Sequence, residues 1–237
     1  MASGFPAPNL HSVRLLQSLA HGEREALARE CSFVTVAKGS VIFSQGSADA
    51  RGVAFVIAGR LSIRGSSPCG KEVVYAVVGP GGSAGESAAL DGRAPRTASV
   101  EADTESLLAF MPSSVFRRAV FGNARICQAV IDALMQMLRV SSERIIELAT
   151  MKAPERVSRE ILRLAMTVPG SEVATSVEIP DMPDQMELAR RTGLTRESVC
   201  RAFTRLQRVG AVERVGNGML LVRDMAALRG QDADCAA

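Results

Sequence analysis

The chain has 237 residues, is 47% hydrophobic and 22% charged, and carries a formal net charge of only +3. That composition suits a globular protein of one large or two ordinary domains. No apolar run nears the length of a membrane span, and Met1 to Leu10 lacks the basic-then-apolar order of a secretory leader, so a cytoplasmic protein with no membrane partner is expected. The five cysteines (Cys31, Cys69, Cys127, Cys200, Cys235) are scattered without a Cys-x-x-Cys pair, and the only histidines, His11 and His21, lie near the start. Neither a disulfide framework nor an intrinsic metal is therefore expected.

Leu10 to Cys31 reads as one or two short helices. Leu15, Leu16, Leu19, Leu27 and Ala28 recur at helical spacing, with His21-Gly22-Glu23 as the break. From Phe33 to Phe110 the texture changes to short β-rich runs at 33–36, 41–43, 53–57, 61–63, 73–78, 98–102 and 106–110. Lys38-Gly39, Gln45-Gly46, Ala58-Gly59-Arg60 and Pro68-Cys69-Gly70 separate them, which predicts a sandwich or barrel.

After Val78 the series is interrupted by Gly79-Pro80-Gly81-Gly82 and then by Gly85-Glu86-Ser87-Ala88-Ala89-Leu90-Asp91-Gly92-Arg93-Ala94-Pro95-Arg96-Thr97-Ala98. Backbone with so little side-chain bulk can turn its N–H groups around an anion. Arg96 could grip a phosphate with a forked pair of donors, and Glu86 could accept from sugar hydroxyls. On spacing alone, a glycine-rich surface loop with an ordinary Arg–Glu pair reads equally well.

A short helix is predicted over 112–121, punctuated by Gly122-Asn123, and a long one over about 124–151. Cys127, Ile131, Leu134, Leu138, Ser141, Ile145 and Leu148 form a single seam, a coiled-coil pattern of about three heptads that calls for a parallel partner helix. Residues 150–156 read as a hinge, with Pro154 in the first turn of a new helix. A small strand at 177–180 follows. Next come two short helices joined by Thr192-Gly193-Leu194, with Thr195 as N-cap of the second, the pattern of a helix-turn-helix. Between Arg190 and Arg214 seven arginines face two acids, a local excess of five positive charges, which predicts a DNA surface. Residues 212–222 read as a hairpin wing turning at Gly216-Asn217-Gly218.

Three of these stretches carry a resemblance. Gly85-Glu86 through Pro95-Arg96-Thr97-Ala98 resembles the phosphate-binding cassette of cyclic-nucleotide-binding domains. Arg139-Val140-Ser141-Ser142-Glu143-Arg144 resembles the segment of the long helix that carries two consecutive hydroxyls in the catabolite activator (CRP/FNR) family. Thr195-Arg196-Glu197-Ser198-Val199-Cys200-Arg201 resembles that family's recognition helix.

The resemblance implies an α+β protein. Residues 1–122 would form a cyclic-nucleotide-binding, jelly-roll-like β-roll, 123–151 a dimerisation helix and 152–237 a winged helix-turn-helix. It implies a ligand phosphate on Arg96 and the backbone at Gly85 and Ser87, with Thr97 beside it and the ribose on Glu86. The base would meet Ser141 and Ser142, one within its own subunit and one from the partner. An arginine that precedes the two hydroxyls in the relative is Met137 here.

In the major groove, Arg196 and Arg201 would suit guanine edges and Glu197 a cytosine amino group. Gln185, Arg205 and Arg208 would serve the backbone, and Thr195, the N-cap, would stand with them among the DNA-binding residues. The expected site is a TGTGA-like inverted repeat bound by a homodimer, with RNA polymerase as a further partner. Cyclic AMP is the expected effector. Cyclic GMP is the rival, because Thr97 stands where the bacterial activator has serine. A family member answering to another effector, and a cyclic-nucleotide module regulating an enzyme or channel, are the remaining readings; no nucleophile–base pair points to the chain being an enzyme itself.

Overall fold

The computed structural model describes residues 5–48, 52–92, 95–172, 174–216 and 218–230. Arg93 and Ala94 of the cassette, Asn217 of the wing turn and Cys235 lie outside them. The chain forms two compact units, 1–141 and 142–237.

The first unit begins with a 3-10 turn, Arg14–Leu16, and helix α1, His21–Arg29. His21-Gly22-Glu23, expected to break a helix, instead makes the first turn of α1, where the Glu23 carboxylate accepts from the Ala20 N–H at 2.8 Å. A reaching carboxylate at that position satisfies an orphan donor, which outweighs the glycine.

Eight strands follow: β1 Ser32–Val36, β2 Val41–Phe43, β3 Gly52–Ala58, β4 Leu61–Ser66, β5 Glu72–Val78, β6 Ser83–Ala84, β7 Ser99–Ala102 and β8 Ser106–Pro112. They pair antiparallel in two four-stranded sheets, β1-β8-β3-β6 and β2-β7-β4-β5. Between β6 and β7 sits helix α2, Glu86–Asp91; helix α3, Ser113–Gly122, follows β8.

Strand β3 explains the layering. Its side chains alternate, and both faces are buried. Ala54 and Val56 join Phe43, Leu61, Ala84, Val100, Ala102 and Leu108 between the sheets. Val53, Phe55 and Ile57 point the other way, to a second core shared with Leu10, Leu16, Ala89 of α2, Phe116 of α3 and Ile126 and Val130 of the next helix.

That helix, α4, runs Ala124–Thr150, with Asn123 Oδ1 accepting from the Arg125 N–H at 3.0 Å. The unit boundary falls inside it, between Ser141 and Ser142. While Ile126 and Val130 are 2% and 3% exposed, the seam positions Ile131, Leu138, Ile145 and Leu148 are 48%, 60%, 67% and 50% exposed. One side of α4 thus completes the core, and another leaves a long apolar stripe uncovered.

The second unit contains α5 Ala153–Ala165, β9 Val177–Ile179, α6 Gln185–Thr192, α7 Arg196–Arg208, β10 Val212–Val215, β11 Met219–Val222 and α8 Met225–Gly230. Pro154 sits in the first turn of α5. The strands form an antiparallel β10-β11-β9 sheet. Val157, Ile161, Leu188, Val199, Phe203, Leu206 and Leu220 pack as its core.

Beneath that core lies an ion network. The carboxylates of Glu147 and Glu160, 5% and 4% exposed, take Arg144, Arg159, Arg163 and Arg191 as partners. Arg191 also bonds Glu187 at 3.2 Å, and Arg144 donates to the Arg191 carbonyl at 3.1 Å. The last turns of α4 are thereby tied to α5 and α6.

Candidate functional site

The first half of the cassette is a helix rather than a wrapping loop. Gly85 adopts φ 96°, left-handed backbone open to glycine, and N-caps the six-residue α2. Glu86 is the first residue of that helix and is half-buried; Ser87 is exposed and Ala88 and Ala89 are buried beneath it. The small residues between Glu86 and Gly92 therefore serve a helix that packs on β3 and α3, a role the sequence reading did not give them.

Arg96 is 4% exposed. Its main chain is pinned to the β2–β3 connection: its N–H donates to the Ser47 carbonyl at 2.9 Å, and its carbonyl accepts from the Gly46 N–H at 2.8 Å. The guanidinium donates from Nη1 to the Gly85 carbonyl at 3.0 Å and from Nη2 to the Gly52 carbonyl at 2.9 Å. Its carbon lies 3.8 Å from the centroid of the Phe43 ring. Thr97, the next residue, is exposed.

Burial raises the Glu86 carboxyl above its ordinary pKa; the Ser83 hydroxyl, the local backbone and the Arg96 charge pull the other way and do not cancel it. A buried cation and a desolvated acid thus lie within each other's field beside α2. Such a place offers forked donors to an anion and an acceptor to hydroxyls.

Gly85, Glu86 and Arg96 are brought together here, while Ser87 and Thr97 are exposed beside them in the chain. Ser141 and Ser142 are exposed on α4, at the end of one unit and the start of the other. Phe43, Gly52 and Ser83 were missed. Ser83 lies three residues before Glu86, in β6, and its hydroxyl reaches that carboxylate. Phe43 and Gly52 reach Arg96 across more than forty residues of chain; they belong to different sheets, and only the tertiary fold unites them.

In the second unit Thr195 caps α7, its hydroxyl accepting from the Ser198 N–H at 3.2 Å. The α6–α7 turn passes through Gly193 at φ 66°. Val199, Ala202, Phe203 and Leu206 face the core, so Arg196, Glu197, Arg201, Arg205 and Arg208 are left on the outer face. Arg201 pairs with Glu197 at 4.0 Å, with side chains 74% and 86% exposed, and donates to the Ser198 hydroxyl at 3.3 Å. Gln185 is half-buried at the start of α6 and accepts from the Cys200 thiol at 2.8 Å.

The excess of five positive charges counted along 190–214 is not all surface. Arg191 is 6% exposed inside the ion network and Arg190 pairs with Glu187 at 3.6 Å, while Arg214, 4.8 Å from the Phe203 ring, stays exposed. The exposed arginines of this stretch are the four of α7 and Arg214 of β10.

Comparison with known proteins agrees with this division. Residues 33–123 match the cyclic nucleotide-binding domain, and residues 155–230 match the Crp-like helix-turn-helix domain. A "CRP-like cAMP-activated global transcriptional regulator" of Mycobacterium tuberculosis is 25% identical over 196 residues, 83% of this chain and 86% of that one. A CRP/FNR-family transcriptional regulator from Thermus thermophilus has a similar structure, with TM-score 0.67 and 26% identity over 84% of this chain and 96% of that one. A CooA variant from Carboxydothermus hydrogenoformans shares the fold at TM-score 0.74 and 19% identity, covering 96% of this chain and 97% of that one.

The helix-turn-helix match sets aside the reading as a module of an enzyme or channel. With a nucleotide-binding β-roll followed by a winged helix-turn-helix, the chain belongs to the CRP/FNR family of transcription regulators and is not an enzyme.

Proposed function

We propose that the protein is a homodimeric, cyclic-AMP-responsive regulator that binds a TGTGA-like inverted repeat. The observation that carries the ligand half is the buried Arg96 guanidinium within the field of a desolvated Glu86. An acid whose burial is only partly offset by its own chain gains from hydroxyl donors, and a ribose supplies them. The ligand phosphate lies on Arg96 and the backbone at Gly85 and Ser87, beside Thr97; its base meets Ser141 and Ser142.

The uncovered apolar stripe of α4 supports pairing through residues 123–151, with 1–122 as the sensing domain and 152–237 as the reading domain. The word "cAMP-activated" in the name of the mycobacterial relative favours cyclic AMP. The threonine at position 97 keeps cyclic GMP as the second reading.

On DNA, Arg196, Glu197 and Arg201 read base edges while Thr195, Gln185, Arg205 and Arg208 hold phosphates. The ligand raises DNA affinity by binding the DNA-competent state more tightly, and RNA polymerase is the downstream partner.

Calorimetric titration of the full chain with cyclic AMP and cyclic GMP, followed by DNA mobility shifts with and without the nucleotide that binds, tests this reading. Saturable binding that is lost in Arg96→Leu, with a ligand-dependent shift of the inverted repeat, is expected. Heat for neither nucleotide would leave the ligand half of the proposal unsupported.

A further inference from the structure

We infer that Phe43 is a positioning residue of the cyclic-nucleotide site: its ring is the platform that fixes the plane of the Arg96 guanidinium, and ligand affinity depends on it. This rests on the reading of Arg96 as the phosphate-binding residue.

Phe43 ends β2, is 7% exposed and meets Phe110 of β8 edge-on at 6.2 Å between centroids. The Arg96 guanidinium carbon sits 3.8 Å from its centroid, well inside the range of a cation–π contact, and the site is almost free of solvent, where such contacts are strongest.

The geometry divides the guanidinium's work. Its central carbon lies over the ring, and its N–H groups radiate in the guanidinium's own plane, where two of them already bond the Gly52 and Gly85 carbonyls. A phosphate must be gripped in that same plane. Whatever sets the plane therefore sets the direction from which an anion is held. An aliphatic side chain of similar volume would fill the space beside Arg96 but offer no π face, leaving the two carbonyls alone to hold the guanidinium.

Gly85 fits the same assembly. A Cβ there would fall 2.5 Å from Arg96 Nη1 and 3.0 Å from Phe43 Cε2, so any side chain at 85 would drive into both partners of the stack. The positive φ and the lack of room require glycine for separate reasons. The residue that opens α2 thus also leaves space for the ring and the cation.

The test compares Phe43→Leu with Phe110→Leu in the full chain. Both remove an aromatic ring from the region between the sheets, but only the first removes the face under Arg96. Cyclic AMP affinity is measured by calorimetry and folding by thermal melting. The expected result is a loss of about 3- to 10-fold in affinity for Phe43→Leu, the size of a desolvated cation–π contact, and less than about 2-fold for Phe110→Leu. Phe43→Tyr, which keeps the π face, is expected to retain most of the affinity. Should Phe43→Leu melt below the assay temperature, Phe43→Met takes its place under the same criterion.

Equal losses for the Phe43 and Phe110 variants, or unchanged affinity in Phe43→Leu, would overturn the inference. Wild-type protein that binds no cyclic nucleotide would instead overturn the ligand assignment beneath it, so the two failures are distinguishable.

Discussion

Each unit desolvates acids, and the two treat them in opposite ways. In the second unit Glu147 and Glu160 are enclosed by Arg144, Arg159, Arg163 and Arg191, so charges removed from water find partners in their own chain. Burial lowers the pKa of Arg163, but its hydrogen bonds and ion pairs with both acids prevail and raise it, as a cation held by two carboxylates should be. In the first unit Glu86 is desolvated with less return: the Ser83 hydroxyl, the local backbone and the Arg96 charge only partly offset its burial. A completed network makes a rigid joint. An acid whose partners only partly offset its desolvation marks a place that gains from an external donor.

The comparison can be broken most sharply at Glu147. Glu147→Ala strips a shared acceptor from three arginines that are 24%, 37% and 35% exposed. A loss of about 3 kcal/mol in denaturant unfolding is expected, the low end for breaking a buried pair because those arginines are partly solvated. A loss under about 1 kcal/mol would mean that the network is mere surface pairing.

Arg196→Ala comes next. It should cost about 1–3 kcal/mol on the inverted repeat and relax the preference at one base, while binding to scrambled DNA changes far less. Equal weakening on both, in titrations at one salt concentration, would make Arg196 a phosphate contact. Thr195→Ala removes a cap rather than a charge and should lower stability by about 1 kcal/mol, read from a denaturant midpoint.

The smallest effect has the opposite sign. Because burial raises the Glu86 pKa, the folded chain keeps that proton at pH values where the unfolded chain has lost it. Its contribution to stability is then fully present below the ordinary value of 4.5 and is lost as pH rises through the raised value. Glu86→Gln should remove that slope, raise the melting temperature slightly at neutral pH and weaken cyclic nucleotide binding. A melting temperature that falls instead, or an unchanged pH slope, would show Glu86 to be a structural acid like Glu147 and erase the contrast between the units.

Much of this was legible before folding. The seven expected strands, the long helix, the helix-turn-helix and its wing all depend on short-range patterns: alternation, helical spacing, glycine turns and the Thr195 cap. The helix across Glu86–Asp91 was not legible, because six small or mixed residues after a glycine carry no period of their own; packing of Ala88 and Ala89 against β3 and α3 decides it. The start of α1 at His21 was misread because the glycine there is outweighed by the reach of Glu23.

For the site, residue types and order along the chain were enough to nominate Glu86, Arg96 and the α7 arginines, since charge and hydroxyl chemistry are properties of the residues themselves. Which charges stay in water is not such a property. Arg191 and Arg196 are equally basic in sequence, yet one is locked among Glu160 and Glu187 and the other faces solvent, because the core-facing side of each helix is set by what it packs against. Likewise, no local pattern relates Phe43 and Gly52 to Arg96. The tertiary fold brings them together from different sheets, and desolvation then gives a ring and two carbonyls their hold on a single cation.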